Sequence, residues 1–248
     1  MHAAPAMLGV TILPLGPAAE SIPVAASLGI RGVQLDASDP SMRPRDLDAS
    51  ARRDVASRLR RLGLVASGID CFVPLERFAD PERADRAMDA VKGSLVLAEA
   101  LGRVPVCMWL PHPPVGGVSE AIRLEADRRG VPVADFNPAC RDQDASSIGV
   151  DPAAELAEGR DPVAAVHAHG PRVAAARVVD LLRSGMRGPI GEPGGARLDA
   201  AAWRLALELA SFPGLPVIDA RQWADPEQGI RSSIERWMAL LPATGVAP

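Results

Sequence analysis

Residues 28–36, Leu-Gly-Ile-Arg-Gly-Val-Gln-Leu-Asp, decide the fold. An amphipathic stretch closes on Gly29, an apolar run follows at once, and the run delivers Asp36 at its far end. Glycine ends helices because it enters the left-handed region without a Cβ penalty. A short run rich in Val, Ile and Leu, bounded by turn residues, reads as a buried strand. The same joint recurs at 60–70 (RRLGLVASGID), 100–109 (ALGRVPVCMW) and 127–135 (DRRGVPVAD).

Working outward from these joints, eight strands are predicted: Leu8–Leu13, Gly32–Leu35, Val65–Ile69, Pro105–Trp109, Val131–Ala134, Ile148–Val150, Ala174–Val179 and Pro216–Ile218. Helical stretches separate most of them. Asp46 or Asp48 caps a run through Leu62, and Asp80-Pro81 opens a run that ends at Gly102. Leu198–Ala210 and Pro226–Leu241 read the same way, with shorter helices at Val118–Arg129 and Pro162–Ala168. Eight strands with a repeated helix-to-strand joint predict a compact α/β fold, a (β/α)8 TIM barrel spanning 1–248 as one domain, rather than an open doubly wound sheet. Asp135–Ile148 is too short and polar for a regular crossover helix, so the helix between strands five and six is expected to be shortened or missing. That would leave barrel wall exposed and favour a homodimer or partner contact at Asn137–Ser147. Residues 243–248 read as a frayed tail.

The acids follow the strands. Asp36 ends the second, Asp70 the third, Asp135 the fifth, Asp151 the sixth, Asp180 the seventh and Asp219 the eighth. Six aspartates therefore reach the C-terminal rim, where barrel enzymes build their sites. Converging carboxylates need a cation, arginines or raised pKa values to coexist. Asp is also the preferred N-cap of a following helix, so Asp36 and Asp151 read equally as caps.

Past the seventh strand lies Gly-Glu-Pro-Gly-Gly at 191–195, where Gly194 would let backbone N–H groups approach a polar substrate. Glu192 inside the loop opposes a tight phosphate cradle, and a plain flexible turn is the alternative. His112, directly after strand four, is the imidazole best placed for acid/base work, with a surface-loop histidine as the alternative. His167 and His169 precede strand seven at the opposite face, and His2 lies at the terminus. Cys71, Cys107 and Cys140 have no CxxC spacing and no even count, so neither a zinc knuckle nor a disulfide framework follows.

The chain has 248 residues, 48% hydrophobic and 23% charged, with a formal net charge of −4. Aromatic residues make up 3%, with no Tyr, leaving little to build a base-stacking nucleic-acid platform. Interspersed charge gives no basic patch for a polyanion, and no apolar run approaches a membrane span. Without a signal-like leader, and with odd, unpatterned cysteines, a cytoplasmic location is expected. Lys92 is the only lysine, mid-helix, and reads as a solvated residue rather than a Schiff-base former.

At this point the chain resembles the xylose isomerase-like TIM barrels, the sugar phosphate isomerase/epimerase superfamily. The resemblance lies in Ala25–Leu35, similar to the family's helix-then-strand "A..lGf.GvEl". Ile148-Gly149-Val150-Asp151 with Gly159-Arg160-Asp161-Pro162 is similar to "lglclD....l..G.dp". Arg172–Asp180 is similar to "ri.hvHlkD" and Ile190–Gly194 to "lG.G". The resemblance implies carbohydrate metabolism, a sugar or polyol as small-molecule partner, and a divalent metal (Mn, Mg, Co or Zn). The metal ligands would fall on Asp135, Asp151, Arg177 and Asp219. Asp135 and Asp219 stand where the family has Glu, each about 1.5 Å shorter in reach. Arg177 stands where the family has His, and a guanidinium donates only and ligates no metal. Gln34 replaces a family Glu.

Two readings follow. In the first, the chain is an isomerase/epimerase moving a proton next to a carbonyl, with Asp135 and Asp219 as acid and base, His112 auxiliary, and Asp151 a metal or hydroxyl ligand. Arg177, Asp180, Asp36, Asp70 and Gly194 would hold the substrate. In the second, the barrel is catalytically degenerate and binds a sugar, polyol or protein partner, with Arg177 replacing the metal's charge among Asp135, Asp151 and Asp219.

Overall fold

Eight short parallel strands close on themselves in this computed structural model, which describes residues 6–112, 116–137 and 147–240. They are β1 (Ala6–Thr11), β2 (Ile30–Asp36), β3 (Val65–Asp70), β4 (Val106–Met108), β5 (Val133–Asp135), β6 (Ile148–Val150), β7 (Val173–Val178) and, after a small two-stranded sheet of β8 (Asp180–Leu181) and β9 (Arg187–Gly188), β10 (Val217–Ile218). The barrel runs β1-β10-β7-β6-β5-β4-β3-β2. β10 is thus the eighth barrel strand, and all eight lie where the sequence places them, with shifted ends.

The helices are α1 (Ala18–Ser27), α2 (Ala49–Arg61), α3 (Glu76–Ala79), α4 (Ala84–Ala100), α5 (Val118–Arg129), α6 (Pro152–Ala157), α7 (Pro162–His169), α8 (Ala200–Leu209) and α9 (Pro226–Ala239). Aspartate caps dominate. Asp48, Asp151, Asp161, Asp199 and Asp225 each accept a backbone N–H from the first turn of the helix they precede. At the opposite ends, Gly29, Gly63 and Gly130 take positive φ, as the opening joint requires.

Two expectations are corrected and one element is new. The first strand stops at Thr11 because Pro14 turns Leu13–Leu15 into a 3-10 turn. Asp80-Pro81 opens a turn, not the helix itself: the Asp80 side chain accepts the Glu82 N–H, and α4 begins at Ala84. The β8–β9 hairpin, closed by the Gly185 N–H donating to the Leu182 carbonyl at 2.8 Å, has no counterpart in the sequence reading. The predicted loss of a crossover helix between β5 and β6, the dimer contact there and the tail at 243–248 fall mainly or wholly on 138–146 and 241–248, outside the described residues.

The core is aliphatic, as the composition demands, with Trp203 its largest fully buried side chain. The Trp203 indole donates to the Arg177 carbonyl at 3.1 Å, so α8 is fastened to β7 at the level of the site. Cys71 and Cys107 are buried, and burial first of all pushes their thiols up to about 11 and about 12. Neither is a nucleophile at neutral pH. Among the described residues, no helix is long and apolar enough to cross a membrane.

Candidate functional site

Parallel register sets the level of the rim. Asp36 of β2 pairs with Asp70 of β3, Asp70 with Cys107 of β4, and Met108 of β4 with Asp135 of β5. The strand ends therefore bring their acids to one end of the barrel. Arg177 of β7 lies beside Val217 of β10, two residues before Asp219.

Across that end runs a network of three arginines and three aspartates. Arg177, 1% exposed, reaches over the barrel lumen to Asp70, itself 2% exposed, and donates to its Oδ1 through Nη2. Its Nε lies 4.0 Å from Asp219 Oδ2. Arg187, delivered by β9, joins Asp151 (Nη1 to Oδ2, 2.9 Å) to Asp219 (Nη2 to Oδ2, 2.8 Å). Arg221 makes the two-point contact that suits a planar guanidinium, with Nε to Oδ1 at 2.7 Å and Nη2 to Oδ2 at 2.5 Å of Asp219. Gln34 donates to Asp70 Oδ1 at 2.6 Å.

Charge state follows from these contacts. Burial alone would raise the Asp219 carboxyl. The Arg221 hydrogen bond and the charges of Arg177, Arg221 and Arg187 overcome it and hold Asp219 well below the usual carboxylate range. Asp36 shifts the opposite way: burial, with Asp70 nearby, raises it against the Ser38 hydrogen bonds that lower it.

Above this network opens a cavity of about 260 Å³ lined by Phe72, Trp109, Phe136, Asp151, Arg187 and Arg221. Its aromatic wall is assembled from three successive strand ends. Phe72 and Phe136 meet with ring centroids 6.2 Å apart at 59°, Arg221 lies over Phe72, and Arg177 lies over Phe136, each guanidinium carbon 5.1 Å from the ring centroid. Phe136 owes its position to Gly149, where a Cβ would stand 2.3 Å from the ring. Trp109, 45% exposed, leaves its indole open to solvent.

These residues do not suit a divalent cation. Such an ion wants unoccupied carboxylate oxygens and neutral nitrogens. Here the oxygens of Asp219 accept guanidinium donors, Asp151 divides its two between Arg187 and the Ala154 N–H, and three fixed positive charges sit where an ion would have to enter. Among the described residues, no group of three or more His, Cys, Asp or Glu is arranged to hold a metal ion.

The residues singled out in the sequence separate into those gathered here and those that are not. Asp70, Asp151, Arg177 and Asp219 meet in the network. Arg177 was expected among Asp135, Asp151 and Asp219, yet its long side chain crosses the lumen to Asp70, and Arg187 takes Asp151 instead. Asp135 is buried, and its Oδ1 accepts the backbone N–H groups of Asn137 (2.9 Å) and Leu110 (3.1 Å), which shapes the loops after β4 and β5. Asp36 accepts the N–H and hydroxyl of Ser38, the turn-forming alternative allowed above. Asp180 starts the β8–β9 hairpin, away from the network, where its Oδ1 accepts the Arg197 and Leu198 N–H groups. Gly194, at φ +73°, sits in the open loop before α8. His112 is exposed past β4 and is not among the cavity's lining side chains.

Missed altogether were Arg187, Arg221, Phe72, Trp109 and Phe136. The aromatic signal was present: with only four Trp and four Phe in the chain, three stand one or two residues past consecutive strand ends. Arg187 had none, because its hairpin is invisible to hydrophobic periodicity.

No family model matches the chain, and no curated protein matches it in sequence. Solved structures match it along almost its whole length. A xylose isomerase domain protein from Planctomyces limnophilus superposes with a TM-score of 0.70 at 18% identity, covering 94% of this chain and 96% of that one. D-allulose 3-epimerase from Methylomonas sp. gives 0.67 at 15%, covering 94% and 97%. A probable 3-DHS dehydratase involved in petrobactin synthesis, from Bacillus anthracis, gives 0.70 at 10%, covering 93% and 98%. The fold is that of the xylose isomerase-like TIM barrels.

Proposed function

We propose that the rim cavity binds a small uncharged sugar or polyol without a divalent metal, and that the metal-dependent proton-transfer site of this fold has degenerated. The arginine network carries this reading. It neutralises internally the carboxylates that would otherwise demand a cation, and it denies Asp219 the basicity a proton-abstracting group needs near neutral pH. Beside it, the open Trp109 indole and the Phe72 and Phe136 rings supply flat apolar faces of the kind that pack against the C–H face of a sugar ring. Arg187, Arg221 and Asp151 supply the few polar groups that orient hydroxyls. The cavity volume, just under the roughly 300–1,000 Å³ of ordinary ligand pockets, suits one small molecule.

The test is a panel of neutral pentoses, hexoses and alditols followed by intrinsic Trp fluorescence and by calorimetry, with elemental analysis of the native protein and of Arg177→His. Saturable binding of a panel member, with no stoichiometric Mn, Mg, Co or Zn and no metal-induced rise in Tm in the native protein, is expected. Stoichiometric metal in the native protein overturns the metal-free reading, and a panel without one saturable ligand overturns the sugar reading.

The names of the epimerase neighbours favour a second reading, sugar epimerisation at the same rim. It needs a base other than Asp219. Solvent deuterium incorporated next to a sugar carbonyl, catalysed by the purified protein, would establish it.

A further inference from the structure

Outside the sugar cavity, and sharing no lining residue with it, a second cavity of about 540 Å³ opens between the β2–α2 connection and α4. Arg43 and Arg45 reach it from the connection and Arg86 from the helix, with Asp89 its one acid. Three guanidiniums line it against one carboxylate, with Asp46 beside Arg45 at its edge, so positive charge is in excess there on a chain whose formal net charge is −4. The Arg43 side chain is half-buried and that of Arg86 exposed, yet among the described residues neither guanidinium makes a hydrogen bond or an ion pair. Arg45 has only Asp46 at 3.7 Å, with both side chains more than half exposed, a pair that water and salt screen.

Several other half-buried or buried arginines have carboxylate or carbonyl partners, as Arg129, Arg177, Arg187, Arg204 and Arg221 do. The departure at Arg43 is held in place by rigid packing. Arg86, Ala90 and Gly93 share one face of α4 at helical spacing. On that face a Cβ at Gly93 would stand 3.1 Å from the Pro44 side chain, so the connection lies against the helix. Asp39 fixes the connection's other end, accepting the Ala18 N–H at 3.0 Å and the Ser41 N–H at 2.8 Å, with Met42 and Pro44 buried beneath. The cations are therefore presented by an ordered scaffold, and binding would not have to order the loop.

We infer that this cavity is an oxyanion site that takes the phosphoryl group of a phosphorylated small molecule. Arginine forks match phosphate oxygens in pairs, and a phosphoryl group brings the negative charge that the excess cations lack. The inference stands apart from the sugar cavity and survives its failure.

Titration of the full chain with inorganic pyrophosphate by isothermal calorimetry tests it, at constant ionic strength set with potassium chloride. One saturable site is expected, weakened at least about tenfold by Arg43→Ala and by Arg86→Ala. Asp89→Asn is expected to tighten it by removing the competing charge, and Arg231→Ala on α9 to leave it unchanged. The Asp89 variant keeps the test decisive if an arginine variant misfolds, since general destabilisation does not improve affinity. No saturable heat, native affinity retained in the two arginine variants, or weaker binding in Asp89→Asn overturns the site. Citrate binding as tightly as pyrophosphate overturns the phosphoryl assignment.

Discussion

From β6 round to β10 the barrel rim is a mesh of charge, whereas from β3 to β5 it is aromatic. In the first half, Asp151, Asp219, Arg187 and Arg221 pair with one another, and Arg177 reaches through Nη2 to Asp70 across the lumen. In the second, Phe72, Trp109 and Phe136 stand over the mouth, and the Trp109 indole is left to solvent. The charged half is built to hold itself, and the aromatic half has surface to offer. Substitutions in the two halves are therefore expected to fail differently: stability in the first, ligand binding in the second.

The largest effect belongs to Arg177. Replacing it with Met keeps much of its length and removes the cation, stranding Asp70, 2% exposed, with Gln34 and the more distant Arg221 at 3.7 Å. Breaking a buried pair from one side costs about 3–5 kcal/mol. Chemical denaturation of Arg177→Met should show a loss of that order, and adding Asp70→Asn should recover part of it. A loss below about 1 kcal/mol would mean that the charged half is not self-supporting.

Asp219→Asn comes next, and pH separates it from other causes of instability. The native Asp219 carboxyl lies below the unfolded value of 3.8, so its contribution is complete above that value and is lost as the pH falls towards the native one. Native protein should thus lose stability steadily as acid is added below about pH 4. The variant should be weaker at neutral pH and lose less over the same window. Parallel curves for the two proteins would remove Asp219 from the network's energetics.

The two halves were also unequally legible. β3, β4 and β5 are flanked by Gly63, Gly102 and Gly130 on one side and by Asp70, Trp109 and Asp135 on the other, so periodicity and turn chemistry located these strands to within one or two residues, and the aromatic wall that follows them, though unread, lay within reach of a local signal. Arg187 and Arg221 are two among the many arginines in a chain with a single lysine, and nothing local marks them. Their partners are set by a two-residue hairpin and by the lateral order of β7 and β10, which are long-range facts. Asp180 misled for the opposite reason: it follows the seventh strand as a rim acid should, but the hairpin it starts turns it towards backbone N–H groups.

Gly149→Ala probes the seam between the halves, because Gly149 belongs to β6 while the ring it admits belongs to the aromatic wall. The added methyl would stand 2.3 Å from Phe136. The ring must move, taking its face from the Arg177 guanidinium, at the roughly 1–3 kcal/mol cost typical of overpacking. A drop in Tm together with altered ligand affinity is expected, and a neutral outcome would detach Phe136 from both functions.

Trp109→Ala should have a modest effect on stability and the largest on the proposed ligand. The side chain lies past β4 with 45% of its surface exposed, so truncation removes only part of a Trp's apolar burial and should cost on the order of 2 kcal/mol, less than the loss at Arg177. Affinity for the sugar or polyol should fall at least about tenfold, since the lost face is the one open to it. Calorimetry beside thermal denaturation reads both numbers on one preparation. If Trp109→Ala instead unfolds the protein while leaving affinity intact, the division of labour across the rim is reversed, because the aromatic wall would then be bracing the barrel and the ligand would be held by Arg187, Arg221 and Asp151 alone.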